Sequence, residues 1–114
     1  MAAAKYDLYI EQGADFEISF TITQSGVPYN LVGSSAALQI RDYGNNLFFD
    51  GTSNNGKLII NTSNSSIKIK ISNAETSSML FTTGKYDLEL TDSSGFVIRL
   101  LEGAVSVSCE VTKT

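Results

Sequence analysis

At 114 residues with a net charge of −4, the chain is long enough to build one hydrophobic core and too short for two. Its eight Lys and Arg are scattered, which argues against nucleic acid, and no run approaches the roughly 20 apolar residues of a membrane span. The absence of histidine and tryptophan, with a single cysteine, takes away imidazole acid–base chemistry, the common zinc ligand sets and an intramolecular disulfide. The expectation is one domain over 1–114, used as translated because Met1 to Lys5 does not open like a secretory signal, with 1–4 as a loose arm.

The first periodic run has Tyr6, Leu8 and Ile10 alternating with Lys5, Asp7, Tyr9 and Glu11, the period of a strand with one buried face. After Gln12-Gly13-Ala14, Phe16, Ile18, Phe20 and Ile22 share one face against Glu17, Ser19, Thr21 and Thr23. Residues 24–30 read as a loop around the only proline, Pro28. Ala36, Leu38 and Ile40 then alternate with Ala37, Gln39 and Arg41 as a third strand, whose small residues leave room for the large ones opposite.

Asp42 to Asn46 reads as a turn and Leu47-Phe48-Phe49 as a short strand, followed by a polar loop over 51–56. Lys57 to Thr62 places Leu58 and Ile60 inward, and Ile67, Ile69 and Ile71 return as its hairpin partner with Lys68 and Lys70 on the wet face, where lysines discourage edge pairing. Asn61-Thr62-Ser63 and Asn64-Ser65-Ser66 have the form of glycosylation acceptors but are read as turn composition. Ser72 and Glu75 have capping-box spacing, which predicts a short helix over 73–80 whose Met79, Leu80 and Phe81 seal one end of the sheets.

From Gly84 onward the pattern predicts a three-stranded antiparallel meander. Tyr86, Leu88 and Leu90 face inward, Asp92-Ser93-Ser94-Gly95 closes a hairpin, Phe96 to Glu102 returns, and Gly103 breaks the chain before Val105, Val107, Cys109 and Val111. That parity puts Cys109 in the core as an inert thiol. About eight short strands with turn signals between them predict an all-β fold, an antiparallel two-sheet β-sandwich of the immunoglobulin-like type, with one short helix.

No constellation for catalysis, metal or phosphate emerges, so neither an enzyme nor a cofactor is expected. Asp87 and Glu89 share a face and fit a solvated strand, and Asp92-Ser93-Ser94-Gly95 has one carboxylate where a calcium loop needs several. Residues 96–101 are apolar on both faces, with Phe96, Ile98 and Leu100 on one and Val97 and Leu101 flanking Arg99 on the other. An outer face of Val, Arg and Leu is covered either by the chain itself or by another protein. Within the chain, Glu17, Glu89 or Glu102 is the candidate partner of Arg99. Val97, Arg99 and Leu101, with Tyr6 and Tyr9, are therefore candidate interface residues.

Three segments together resemble a family of small virion structural proteins of tailed bacteriophages. They are Tyr6 to Ala14 (YDLYIEQGA), Asn30 to Gly33 (NLVG) running into Leu38 to Arg41 (LQIR), and Gly84 to Leu90 (GKYDLEL) running through Arg99 to Gly103 (RLLEG) to Glu110-Val111-Thr112. The resemblance implies a non-enzymatic structural or adaptor role in the particle, at the tail or baseplate. Its partners would be other phage structural proteins, including copies of itself in a symmetric assembly, reached by strand addition through the N-terminal arm and sheet edges. The virion would be its location, after synthesis in the bacterial cytoplasm. A capsid decoration protein is the alternative within the same biology. From another class comes a carbohydrate-binding sandwich on a host-recognition fibre, for which Tyr9, Tyr29 and Tyr43 are the candidate stacking residues.

Overall fold

In the computed structural model of the protein, residues 3–111 are described. The chain is mostly β, with eleven strands and one short helix among these residues. The strands are β1 (Ala4–Lys5), β2 (Leu8–Glu11), β3 (Phe16–Thr21), β4 (Thr23–Gln24), β5 (Val27–Pro28), β6 (Ser35–Asp42), β7 (Leu47–Thr52), β8 (Leu58–Asn61), β9 (Ser66–Ile71), β10 (Thr83–Thr91) and β11 (Val97–Ser108), with α1 (Asn73–Ser77) between β9 and β10. No described helix is long and apolar enough to cross a membrane.

The large sheet runs β1-β11-β10-β6-β7, with β2 also on β11; a second sheet runs β3-β9-β8, and β4 and β5 form a small hairpin of their own. Pairing is antiparallel except where β1 and β2 lie parallel to β11, so an entirely antiparallel architecture does not hold. One core cluster draws on both larger sheets: Leu38, Ile40, Leu88, Leu90 and Val105 from one, and Leu58, Ile67, Ile69 and Ile71 from the other. Val105 of β11 apart, these are the inward positions that the alternation of β6, β8, β9 and β10 predicts.

The predicted meander is a two-stranded hairpin, because Phe96 to Val111 contains one strand of twelve residues instead of two. Gly103 does not break it. A Cβ there would collide with the Tyr6 carbonyl oxygen, so the glycine lets the N-terminal segment cross close over β11. Tyr6 N–H donates to the Glu102 carbonyl and the Ala104 N–H donates to Asp7 Oδ1, a side chain standing in for the backbone acceptor that the crossing displaces. The first strand is accordingly split in two at Tyr6-Asp7. Ala4, expected in a loose arm over 1–4, pairs with Leu101; Met1 and Ala2 of that arm lie outside the described residues.

The irregularity in β11 lies at Leu100. Leu88 pairs with Leu101 and Glu89 with Arg99, so Leu100 is the extra residue of a β-bulge. Before it Ile98 and Leu100 face the core; after it Leu101, Val105 and Val107 do. The bulge accounts for the doubly apolar appearance of residues 96–101, and it moves Leu101 (8% exposed) from the outer face to the inner one.

Other expectations give way to local causes. Cys109 is exposed, because β11 ends at Ser108 and strand parity does not extend past the ladder. Thr112, expected in the last strand, lies outside the described residues. Phe96 precedes β11 and is exposed instead of inward. The capping box forms as predicted, with Ser72 N–H donating to Glu75 Oε1 and Glu75 N–H to Ser72 Oγ, but α1 stops at Ser77; Met79 is buried and Leu80 is 81% exposed. Gly51 and Thr52 belong to β7, not to the loop after it. Lys68 and Lys70 sit on the central strand of their sheet, so they protect no edge; Lys68 instead reaches Glu17 across the ladder at 3.8 Å. The predicted loop over 24–30 holds the β4–β5 hairpin, turned by Ser25 and Gly26, both at positive φ as a two-residue hairpin turn requires.

Gly103→Ala is expected to lower stability by about 1–3 kcal/mol, as forced overpacking does. Urea denaturation measures the loss, and amide exchange should rise at Tyr6 and Ala104 before it rises in β9. An unchanged midpoint would show that the crossing yields freely.

Candidate interaction site

Two surfaces carry the features that could bind something. The first is the outer face of the large sheet, where Lys5, Arg41, Lys85 and Arg99, four of the eight cations of an acidic chain, line a trough of about 650 Å³ together with Asp7, Asp87 and Glu102. Strand alternation aims these side chains outward between the buried Leu38, Ile40, Tyr86 and Leu88. Along one row, Lys5 pairs with Glu102, and Arg99 stands 3.5 Å from both Asp87 Oδ2 and Glu102 Oε1. The Lys5 ammonium, followed by the Arg99 guanidinium, holds the Glu102 carboxyl below the usual carboxylate range. Of the intrachain partners expected for Arg99, Glu102 is one; Asp87 is the partner that alternation alone did not suggest.

The second surface is one end of the molecule, where the 24–33 segment meets the β10–β11 turn. Val27, Val32, Phe96 and Val97 are each 56–65% exposed, and Gln24 and Tyr29 line both of the shallow depressions that lie between them. The two loops touch, since a Cβ on Gly33 would come within 2.9 Å of the Ser93 side chain. The turn that presents Phe96 is stiff. Asp92 Oδ1 accepts from the Ser94 hydroxyl at 2.8 Å, the Ser94 N–H at 3.0 Å and the Phe96 N–H at 2.9 Å, bonds that hold this carboxyl below its usual range.

The residues singled out from sequence do not converge on one patch. Val97 and Arg99 are exposed and near the apolar end, whereas Leu101 is in the core. Tyr6 lies between β1 and β2 and packs edge-on against Phe20 of β3, with ring centroids 5.0 Å apart, closing the gap between the sheets. Tyr9 is 72% exposed but pairs in register with Ser106, nine residues along β11 from Val97, which at about 3.3 Å per residue is roughly 30 Å away. Of the three stacking tyrosines, Tyr43 lines the charged trough, Tyr29 is half-buried at the apolar end, and Tyr9 is on neither surface. Sequence reasoning missed Phe96, Val27 and Val32; the signal available was their place in turn segments, where strand parity does not apply.

The chain matches no protein-family model, and no curated protein is similar to it in sequence.

Tyr86 ties the trough to the crossing. Its ring is in the core and its hydroxyl donates to the Tyr6 carbonyl at 2.5 Å. Burial, with the Asp7 charge beside it, pushes the phenol up to about 12. An unfolded tyrosine ionises near 10, so this group's contribution to stability is complete below about pH 10 and is lost as pH rises toward 12. Tyr86→Phe should be less stable at pH 8 by about 1 kcal/mol, the net worth of a hydrogen bond. It should also lose stability less steeply than the parent protein between pH 10 and 12 in urea titrations; equal slopes would remove Tyr86 as the alkaline-sensitive group.

Proposed function

We propose that the protein is a non-enzymatic structural or adaptor component of a tailed-bacteriophage particle, at the tail or baseplate, acting through protein–protein contacts. The observation that carries this reading is the apolar end. Val27, Val32, Phe96 and Val97 form an exposed hydrophobic surface on a rigid turn and hairpin, rimmed by polar Gln24 and Arg99, which is the composition of a contact core with a polar rim. The sequence resemblance given by YDLYIEQGA, NLVG with LQIR, and GKYDLEL with RLLEG supports the same biology. Arg99 sits at the rim as a group whose fork can leave its exposed pairs with Asp87 and Glu102 for a partner's carboxylate.

We read the two larger sheets as an immunoglobulin-like sandwich. The order β11-β10-β6-β7 with the first strands alongside β11, and β3-β9-β8 for the second layer, supports that reading, as does the shared core. With β1 and β2 taken as one first strand and β3 as the second, the connection from β3 to β6 and the β10–β11 turn share one end of such a sandwich, which is where binding loops sit in variable domains. Here those loops carry the apolar surface.

The test adds purified protein to particles lacking it and locates it by electron microscopy. Attachment at the tail or baseplate is expected; attachment over the capsid would select the decoration role instead. Phe96→Asp combined with Val97→Asp should abolish attachment with an unchanged circular dichroism spectrum, and Arg99→Glu should weaken it while costing about 0–1 kcal/mol of stability. Wild-type protein that binds no particle, or a double variant that binds as well as wild type, would end this reading.

A further inference from the structure

Two cations of the charged trough have no anionic partner among the described residues. Arg41 and Lys85 stand opposite each other in the β6–β10 ladder, which sets their Cβ atoms about 4.5–5.5 Å apart, and like charges so placed are destabilising. Among the described residues neither has a carboxylate within 4.0 Å, while Lys5 and Arg99 in the same trough are paired. Arg41 is nevertheless held in place: Nη1 donates to the Asn45 carbonyl at 3.0 Å and Nη2 to Gln39 Oε1 at 2.9 Å. Two of its five N–H groups are thereby used and the others are free for a ligand, with the planar head already oriented.

The rest of the trough narrows the ligand class. Asp7, Asp87 and Glu102 line its other side, so a polyanion such as an acidic peptide would gain two cations and meet three carboxylates. A molecule with one anionic group and several hydroxyls suits both halves, since carboxylates accept from hydroxyls. Tyr43 lines the same trough beside Arg41 and Asn45 and is 66% exposed, offering a ring face for an apolar ligand face to stack on. At about 650 Å³ the trough falls within the roughly 300–1,000 Å³ of small-molecule sites.

We propose that this trough binds a saccharide bearing a single carboxylate, with the carboxylate between Arg41 and Lys85, a sugar ring against Tyr43 and hydroxyls directed to Asp7 and Asp87. The site borders the apolar end at Arg99 but uses other side chains for its ligand, and neither proposal depends on the other. Titration calorimetry and saturation-transfer NMR with 3′-sialyllactose, lactose, triglutamate and inorganic phosphate test it. Sialyllactose should bind in the millimolar range or tighter and lactose about tenfold more weakly, the loss that a charge-assisted hydrogen bond implies. Lys85→Gln and Tyr43→Ala should each weaken sialyllactose at least about fivefold, with unchanged circular dichroism. No sialyllactose binding at roughly 10 mM, where a millimolar complex would be saturated, would overturn the proposal. So would equal affinity for lactose. Triglutamate or phosphate binding as tightly as the sugar acid would reduce the site to a simple cation pair and overturn the saccharide assignment, as would full binding by Lys85→Gln.

Discussion

The large sheet depends on the passage of the N-terminal segment over Gly103. β11 is paired along one side by β10 from Val97 to Ser106, but on the other side only by the short β1 and β2, which together close that edge. Between them the backbone lifts off at Tyr6 and Asp7, and three groups make good the loss: the Asp7 carboxylate takes the Ala104 N–H, the Tyr86 hydroxyl takes the Tyr6 carbonyl, and the Tyr6 ring covers Phe20. A side chain at 103 would press on the Tyr6 carbonyl and the Asp7 carboxylate, the acceptors of the first two contacts. A sheet edge that would otherwise present open backbone groups is thereby occupied by the chain's own beginning.

Much of the fold was legible because most strands obey one rule over their full length. In β6, β8, β9 and β10 each inward position follows from alternation, and the Ser72–Glu75 capping box follows from spacing alone. What was not legible has two physical sources. Alternation counts residues and cannot see a bulge, so it puts Leu101 on the wrong face, and a glycine required by a crossing segment looks the same in sequence as one that breaks a strand. Parity also lapses where a ladder ends, which is why Cys109 and Phe96 were assigned to a core they do not enter. Parallel pairing between residues nearly a hundred apart leaves no local trace at all. Of the candidate site, the exposed Val97 and Arg99 were visible in the sequence; the meeting of the 24–33 segment with the 92–96 turn was not, because only the tertiary fold brings them together.

The two surfaces differ in kind. The apolar end is made of turns whose shape is fixed by side-chain-to-backbone bonds, above all those of Asp92, and it offers hydrophobic area with few polar demands. The trough lies on a sheet face, where spacing is set by the strand ladder itself and charges fall at fixed intervals. Rigid turns suit docking against another folded surface; a charged lattice suits orienting a small ligand.

The extra residue at Leu100 sets how β11 can vary in length. Losing Leu100 would leave a regular ladder with every other partner and face unchanged, because Arg99 already pairs with Glu89 and Leu101 with Leu88, whereas an added residue in the paired stretches on either side would slide one part of the strand by a single position and turn core side chains to water. Deletion at Arg99 would likewise be absorbed, with Leu100 moving opposite Glu89 while Ile98 and Leu101 keep their partners. A one-residue gap in this strand of related chains should therefore fall at the bulge, with insertions confined to the turn at 92–96.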